Sequence, residues 1–182
     1  MKRIFDILFA LIAFVVFLGP VLLIILALVI IERHPVLFFQ ERIGKHRKPF
    51  KIYKFQTMVN NEVTPTGKIL RKTGLDELPQ FLNVLKGDMS IVGPRALMQS
   101  DIERFNWQSD YYNIRWIVQP GITGFAQIYG GQGLKTSWFW DKKYIQTHNL
   151  LKDFGVICLS FLINIFGKTR IRRMIWPDKN LK

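Results

Sequence analysis

Asp76 and Glu77 are adjacent carboxylates with Arg71 and Lys72 just before them and Arg95 beyond a Gly-Pro turn. An aspartate held ionised by neighbouring cations can attack phosphorus as a covalent nucleophile, while a second carboxylate holds Mg2+ against diphosphate oxygens. A helix N-terminus adds free N–H groups and a dipole that favours anions. The same residues also fit a structural role, because Thr73-x-x-Asp76 matches a capping box and acidic residues are common in a first helical turn. On residue types alone both readings stand.

The element that carries the pair is expected to be a helix over 75–86. Leu75, Leu78, Phe81, Leu82 and Leu85 recur at helical spacing, and Pro79 suits the first turn. Gly87-Asp88 ends it, and Ile91-Val92 leads into the tight turn Gly93-Pro94-Arg95, which presents a guanidinium. Upstream, seven positions between Arg42 and Lys54 are basic or His, and Phe50 to Phe55 alternates as a short strand would. That stretch suits a phosphate site and a solvated face on anionic headgroups equally.

These segments must be held at a membrane. From Ile4 to Ile31 only Asp6 is charged, and a helix of that run is roughly 42 Å long against a hydrocarbon core of about 30 Å. Gly19-Pro20 lies mid-run and predicts a kink or break into two half-helices. Two arrangements follow: a tilted single-pass helix, or a re-entrant hairpin whose ends share one face. Basic residues flank both ends, Lys2 and Arg3 before and Arg33, Arg42, Lys45, Arg47 and Lys48 after, which favours the hairpin because a spanning helix leaves its positive excess on one side. A signal peptide does not fit, since the run is too long and lacks a small-residue cleavage site.

Trp107, Tyr111, Tyr112 and Trp116 read as core or interfacial packing. After Gly133 the chain reads as helix, and the apolar residues 156–166 running into Lys168, Arg170, Arg172 and Arg173 suit an interfacial helix with a basic end. The 182 residues, 49% hydrophobic with net charge +13, define one catalytic-sized domain beside an anionic surface. Nucleic acid is disfavoured as a partner, because the cations flank membrane-seeking segments instead of forming one separate face. A single cysteine, Cys158, excludes an intrachain disulfide, and a cytoplasmic face is expected. Walker A, Gly-x-Gly-x-x-Gly, zinc-cysteine and Gly-x-Ser-x-Gly patterns are missing.

The runs Asp76-Glu77-Leu78-Pro79-Gln80, Asn83 to Ser90 and Val92-Gly93-Pro94-Arg95 resemble the signature of the bacterial sugar transferase family, the monotopic polyprenyl-phosphate phosphoglycosyl transferases. Lys2 to Asp6, Phe38 to Arg42, Lys51 to Phe55, and Pro120 to Gly124 with Ala126-Gln127 are similar to further motifs of that family. The resemblance implies that Asp76 captures a sugar phosphate and expels a nucleoside monophosphate, that Glu77 is an Mg2+ ligand, and that Asp88 supports the metal or caps a turn. It implies phosphate contacts for Arg71 and Arg95, with Lys54 and Lys72 beside them. Donor contacts fall to Gln127, Tyr129 and Gln132, with donor choice set in the aromatic-rich loop 129–140. A nucleotide sugar, usually a uridine diphosphate sugar, polyprenyl phosphate and the bilayer are the implied partners, with a homodimer left open.

The expected fold is α+β and mostly helical. Residues 1–32 form a re-entrant helix broken at Gly19-Pro20, and 33–182 form a membrane-associated cytoplasmic domain with interfacial amphipathic helices. The chain departs from the family pattern at Gln56, Gly74, Ala96 and 128–133, where Arg, Ser, Pro and a Val-Asn-Gly-Arg-like loop are usual. A non-catalytic membrane module, with Asp76-Glu77 only capping a helix, is the competing expectation.

Overall fold

The computed structural model describes residues 1–129 and 133–175. It is mostly helical with little sheet. Its first element is α1, Lys2–Leu26, extended by a π-helical turn over Ala27–Ile31. Nothing but Asp6 interrupts the apolar run, so the backbone satisfies itself as helix, and this segment is long and apolar enough to cross a membrane. Pro20 lies inside α1, which continues six residues beyond it, so the residues on either side of Gly19-Pro20 belong to one helical element. Proline removes one hydrogen bond locally, and the irregular turn falls later, at Ala27–Ile31.

Both ends of this helix dock on the same domain. Near its start, buried Asp6 accepts hydrogen bonds from Ser90 Oγ at 2.8 Å and Ile91 N at 3.1 Å, and Lys2 Nζ pairs with Asp153 Oδ2 at 2.7 Å. Arg3 donates to the carbonyls of Val84 and Leu85, two of the last carbonyls of the next long-range neighbour, a helix over 80–86. Near its end, Ile24 and Leu28 are buried with Phe55 and Leu70. Between these anchors Leu11, Ile12, Val15, Val16, Leu22 and Leu23 are exposed.

The chain then forms an antiparallel hairpin of β1, Leu37–Ile43, and β2, Pro49–Phe55, with Gln40 opposite Ile52 and Ile43 opposite Pro49. A two-residue pair, β3 (Met58–Val59) and β4 (Glu62–Val63), leads to α2, Pro65–Thr73. Thr64 caps α2 by accepting from Gly67 N at 3.0 Å, and Pro65 stands at the first helical position, where no N–H is needed.

The helix expected over 75–86 is two elements: a 3-10 turn over Leu75–Glu77, then α3, Gln80–Lys86, beginning directly after Pro79. Its buried face also differs from the leucine pattern. Val84 and Asn83 are fully buried and Leu82 is exposed. Asn83 explains the change, because its Nδ2 donates to Lys51 O at 2.7 Å and its Oδ1 accepts from Tyr53 N at 3.0 Å. A polar residue in the core thus fastens α3 to β2, with its hydrogen bonds made.

Strand β5, Ser90–Val92, pairs in parallel with β6, Gly121–Thr123, and so brings the two sequence turns side by side. Gly93 N donates to Thr123 O at 2.9 Å and Gly121 N to Pro94 O at 2.8 Å. A Cβ on Gly121 would lie 2.0 Å from Gly93 N, so only glycine permits this approach. Between them lie α4, Gln99–Arg104, and a 3-10 segment over Asp110–Ile117. Trp107 and Trp116 are buried there, as the packing reading expected, whereas Tyr111 is exposed.

Short α5, Phe125–Ile128, is followed by α6, Leu134–Thr147, α7, Leu150–Phe166, and α8, Lys168–Ile175. Asn149 starts α7 by accepting from Lys152 N at 2.9 Å. One face of α7 joins the main core through Val156, while Leu151, Phe154, Phe161 and Ile165 remain exposed, as suits a helix at an apolar boundary.

Candidate active site

Helix α2 ends at Gly74, whose φ of +72° reverses the chain so that the 3-10 turn presents Asp76 and Glu77 next to Arg71 and Lys72 of the last helical turn. Gly67 seats α2 against the segment after β2, because a Cβ there would lie 2.3 Å from Thr57 O. Arg71 Nε donates to Thr57 Oγ1 at 2.8 Å, which fixes the guanidinium's stem. From the hairpin, Lys54 Nζ reaches Glu77 Oε1 at 2.5 Å.

The capping alternative does not describe this turn. Thr73 Oγ1 donates back to Ile69 O at 2.9 Å, Gly74 occupies the cap position, and no side chain caps either the 3-10 turn or α3. Asp76 and Glu77 lie ahead of α3 and do not occupy its first turn. Neither carboxylate caps a helix, and Glu77 is instead paired with Lys54.

They open on a cleft of about 1190 Å³, whose lining includes Asp76, Glu77, Arg71, Lys72, Lys54, Arg95 and Arg42. Phe9 and Phe17 of α1 and Ile157, Phe161 and Ile165 of α7 supply an apolar wall. Thus Asp76, Glu77, Arg71, Lys72, Lys54, Arg95 and Gln127, all singled out in sequence, meet in one place. Asp88 does not join them: it follows α3 and accepts from Asn83 Nδ2 at 3.3 Å, away from the cleft lining. Tyr129 packs with Phe125 and Trp140, which sets it in the core beside the cleft. Gln132 lies outside the described residues, as do positions 130 and 131 of the departure at 128–133.

Burial, reinforced by the neighbouring Glu77 charge, raises the Asp76 carboxyl above its ordinary range, and Lys54 and Arg71 only partly oppose this. Desolvation wins, and the resulting carboxylate is more basic and less hydrated.

Long-range groups that were not evident in sequence stabilise Arg95. Arg115 donates through Nη2 to the Arg95 carbonyl and through Nε to Asp141 Oδ2 at 3.0 Å. Arg115 and Asp141 are both buried, with Trp107 and Trp116 beside the guanidinium. The partners lie 26 residues apart in chains of ordinary composition, so no local pattern signals them.

Among the described residues no three His, Cys, Asp or Glu side chains cluster as a protein-only metal cage. Mg2+ does not require one, since it is commonly held by one or two carboxylates with substrate phosphates and water. Glu77, with 37% of its side chain exposed on the cleft, fits that use, and Asp76 stands next to it.

A carboxylate pair ringed by cations, beside an apolar wall and a membrane-seeking helix, equips a protein to handle phosphorylated substrates at a membrane surface. The chain belongs to the bacterial sugar transferase family, whose model matches residues 1–167. It is 43% identical over 145 residues to the UDP-N-acetylgalactosamine-undecaprenyl-phosphate N-acetylgalactosaminephosphotransferase of Aeromonas hydrophila, covering 71% of this chain and 34% of that protein. It is 37% identical over 190 residues to the UDP-glucose:undecaprenyl-phosphate glucose-1-phosphate transferase of Escherichia coli, covering 92% and 41% respectively. The exopolysaccharide production protein ExoY of Sinorhizobium fredii is 33% identical over 188 residues, covering 86% of this chain and 81% of that protein. The chain thus spans only about a third of the length of the first of these relatives and about two fifths of the second.

Proposed function

We propose that this protein transfers a sugar 1-phosphate from a nucleotide sugar, a uridine diphosphate sugar by its relatives' names, to polyprenyl phosphate. The observation that carries the reading is that Asp76 and Glu77 line one cleft together with five cations and the apolar side chains of α1 and α7. An Asp76 oxygen attacks the phosphorus bearing the sugar, and the bond from that phosphorus to the bridging oxygen breaks. The electron pair leaves with the nucleoside monophosphate. A phosphate oxygen of the polyprenyl phosphate then attacks the same phosphorus and releases the Asp76 carboxylate, giving polyprenyl diphosphate sugar.

Arg71, Lys72 and Arg95 offset the phosphate charge, and Lys54 holds Glu77 in place. Mg2+ held by Glu77 would neutralise diphosphate oxygens. Asp88, being outside the cleft, takes no part in this scheme. The test is release of nucleoside monophosphate from a panel of uridine diphosphate sugars, with polyprenyl phosphate and Mg2+ in nanodiscs. Absence of release from every donor, where a relative is active, would reject the reading.

Because the raised Asp76 carboxyl must be ionised to attack, activity is lost as pH falls through that raised value. Lys54 lowers it, so Lys54→Met is expected to move the acidic limb of the kcat/KM profile to higher pH. A limb that stays put or moves down would mean that Asp76 does not set it.

The same proposal places α1 as a re-entrant helix with the catalytic domain on the cytoplasmic face. Docking of both helix ends on one domain, with the middle exposed, supports it. A cysteine appended before Met1 and another at Arg33→Cys, in a Cys158→Ser background, should both resist an impermeant thiol reagent in intact spheroplasts and react once the membrane is opened. Labelling of the first alone in intact cells would indicate a single pass.

A further inference from the structure

Resting on the transferase reading of this cleft, we propose that Arg42 binds phosphate, forming with Arg95 a two-guanidinium clamp. Strand β1 delivers Arg42 to the cleft wall, and its end is tied to the loop after Arg95 by the bond from Ile43 N to Leu97 O at 2.8 Å. Arg42 Nη1 donates to Ala96 O at 3.2 Å, one residue from Arg95. Its Nη2 donates to Gln40 Oε1, and Gln40 is steadied from its other end by Met98 Sδ at 3.1 Å. The planar group is therefore aimed before any ligand arrives.

Its charge is only partly matched by the protein. The side chain is 12% exposed, and Nε is buried with no acceptor. The carboxylate nearest it, Asp101, lies at 3.9 Å and is already engaged by Arg104 at 3.0 Å and by Met98 N at 3.2 Å. Burial and the repulsion of Arg95 both disfavour the charged guanidinium, whereas Asp101 and Glu77 favour it. Two like charges lining one cleft, each disfavouring the other, are relieved by a doubly charged anion. The shared chemistry is a phosphate, and its source is either the donor's diphosphate or the acceptor lipid's phosphate.

The test compares wild type with Arg42→Gln and Arg42→Lys in nanodiscs. Binding of uridine, UDP and polyprenyl phosphate is measured at two salt concentrations, and thermal unfolding serves as the fold control. Losing one charge-assisted contact should weaken one phosphate ligand by about 10- to 100-fold, leave uridine unchanged and make the salt dependence shallower. Arg42→Lys should recover part of the loss. Weakened UDP binding assigns the donor diphosphate, and weakened polyprenyl phosphate binding assigns the acceptor; either supports the clamp. Unchanged binding of both, equal loss for uridine and UDP, or a wild type that binds neither phosphate overturns it. Retained phosphate binding without nucleoside monophosphate release would keep the clamp and reject the transferase reading instead.

Discussion

Replacing Asp76 by Asn is expected to lower nucleoside monophosphate release by at least about 10³-fold, with nucleotide-sugar binding largely kept. Asparagine preserves the size of the side chain and its place in the turn between Gly74 and Pro79. It cannot form the bond to phosphorus, and no described carboxylate other than Glu77 lines the cleft to replace it. The charge change works in the opposite direction for binding, since removing an anion from a site of five cations favours a diphosphate. Loss of turnover with unchanged or tighter donor binding is therefore the signature of a nucleophile. If Asp76→Asn released monophosphate within a few-fold of wild type, covalent attack by this residue would be ruled out.

The second large effect is on stability. Asp141→Ala should destabilise the fold by roughly 3–5 kcal/mol, because it leaves Arg115 buried and unpaired. Thermal unfolding in detergent reads this directly. The double variant Arg115→Met, Asp141→Leu removes both charges and should recover most of the stability, since a buried pair can be replaced by apolar groups of similar size. Activity should not recover fully with it: the Arg95 carbonyl then lacks its Arg115 donor, and the segment that carries Arg95 to the cleft is held less firmly. Recovery of full activity in the double variant would show that Arg115 serves packing alone.

What the residue pattern alone made legible was what is local in the chain; Lys54 and Gln127 entered through the family resemblance. Asp76, Glu77, Arg71 and Lys72 lie within seven residues, so their meeting follows from one turn. Arg95 was legible because Gly93-Pro94 demands a turn at that point. The split of 75–86 was not, because leucine spacing continues through Pro79 and hides the change from 3-10 to α geometry. Asn83 was also missed, since an asparagine in a helix gives no sign that its amide fastens a strand 30 residues earlier. The β5–β6 pair was invisible for a related reason. Three-residue strands carry almost no periodic signal, and their pairing is recorded only in the glycines that allow contact.

Asp6 shows the limit in another way. In sequence it is a lone charge at the edge of an apolar run, whereas in the fold it is the buried acceptor that seats α1 on Ser90 and Ile91. Asp88 is the reverse case, an acidic residue close in sequence to the pair and held elsewhere by Asn83. Nearness along the chain predicted the site only where a single turn joined the residues.

The central claim is that Asp76 carries the sugar phosphate between donor and acceptor. Intact-protein mass spectrometry after incubation with the donor and Mg2+, without polyprenyl phosphate, tests it most directly. The account predicts a mass increase of one sugar phosphate, localised to the peptide holding Asp76, lost when polyprenyl phosphate is added, and missing in Asp76→Asn. Monophosphate release that depends wholly on polyprenyl phosphate, with no adduct on rapid quenching, would contradict it and indicate direct transfer between the two substrates.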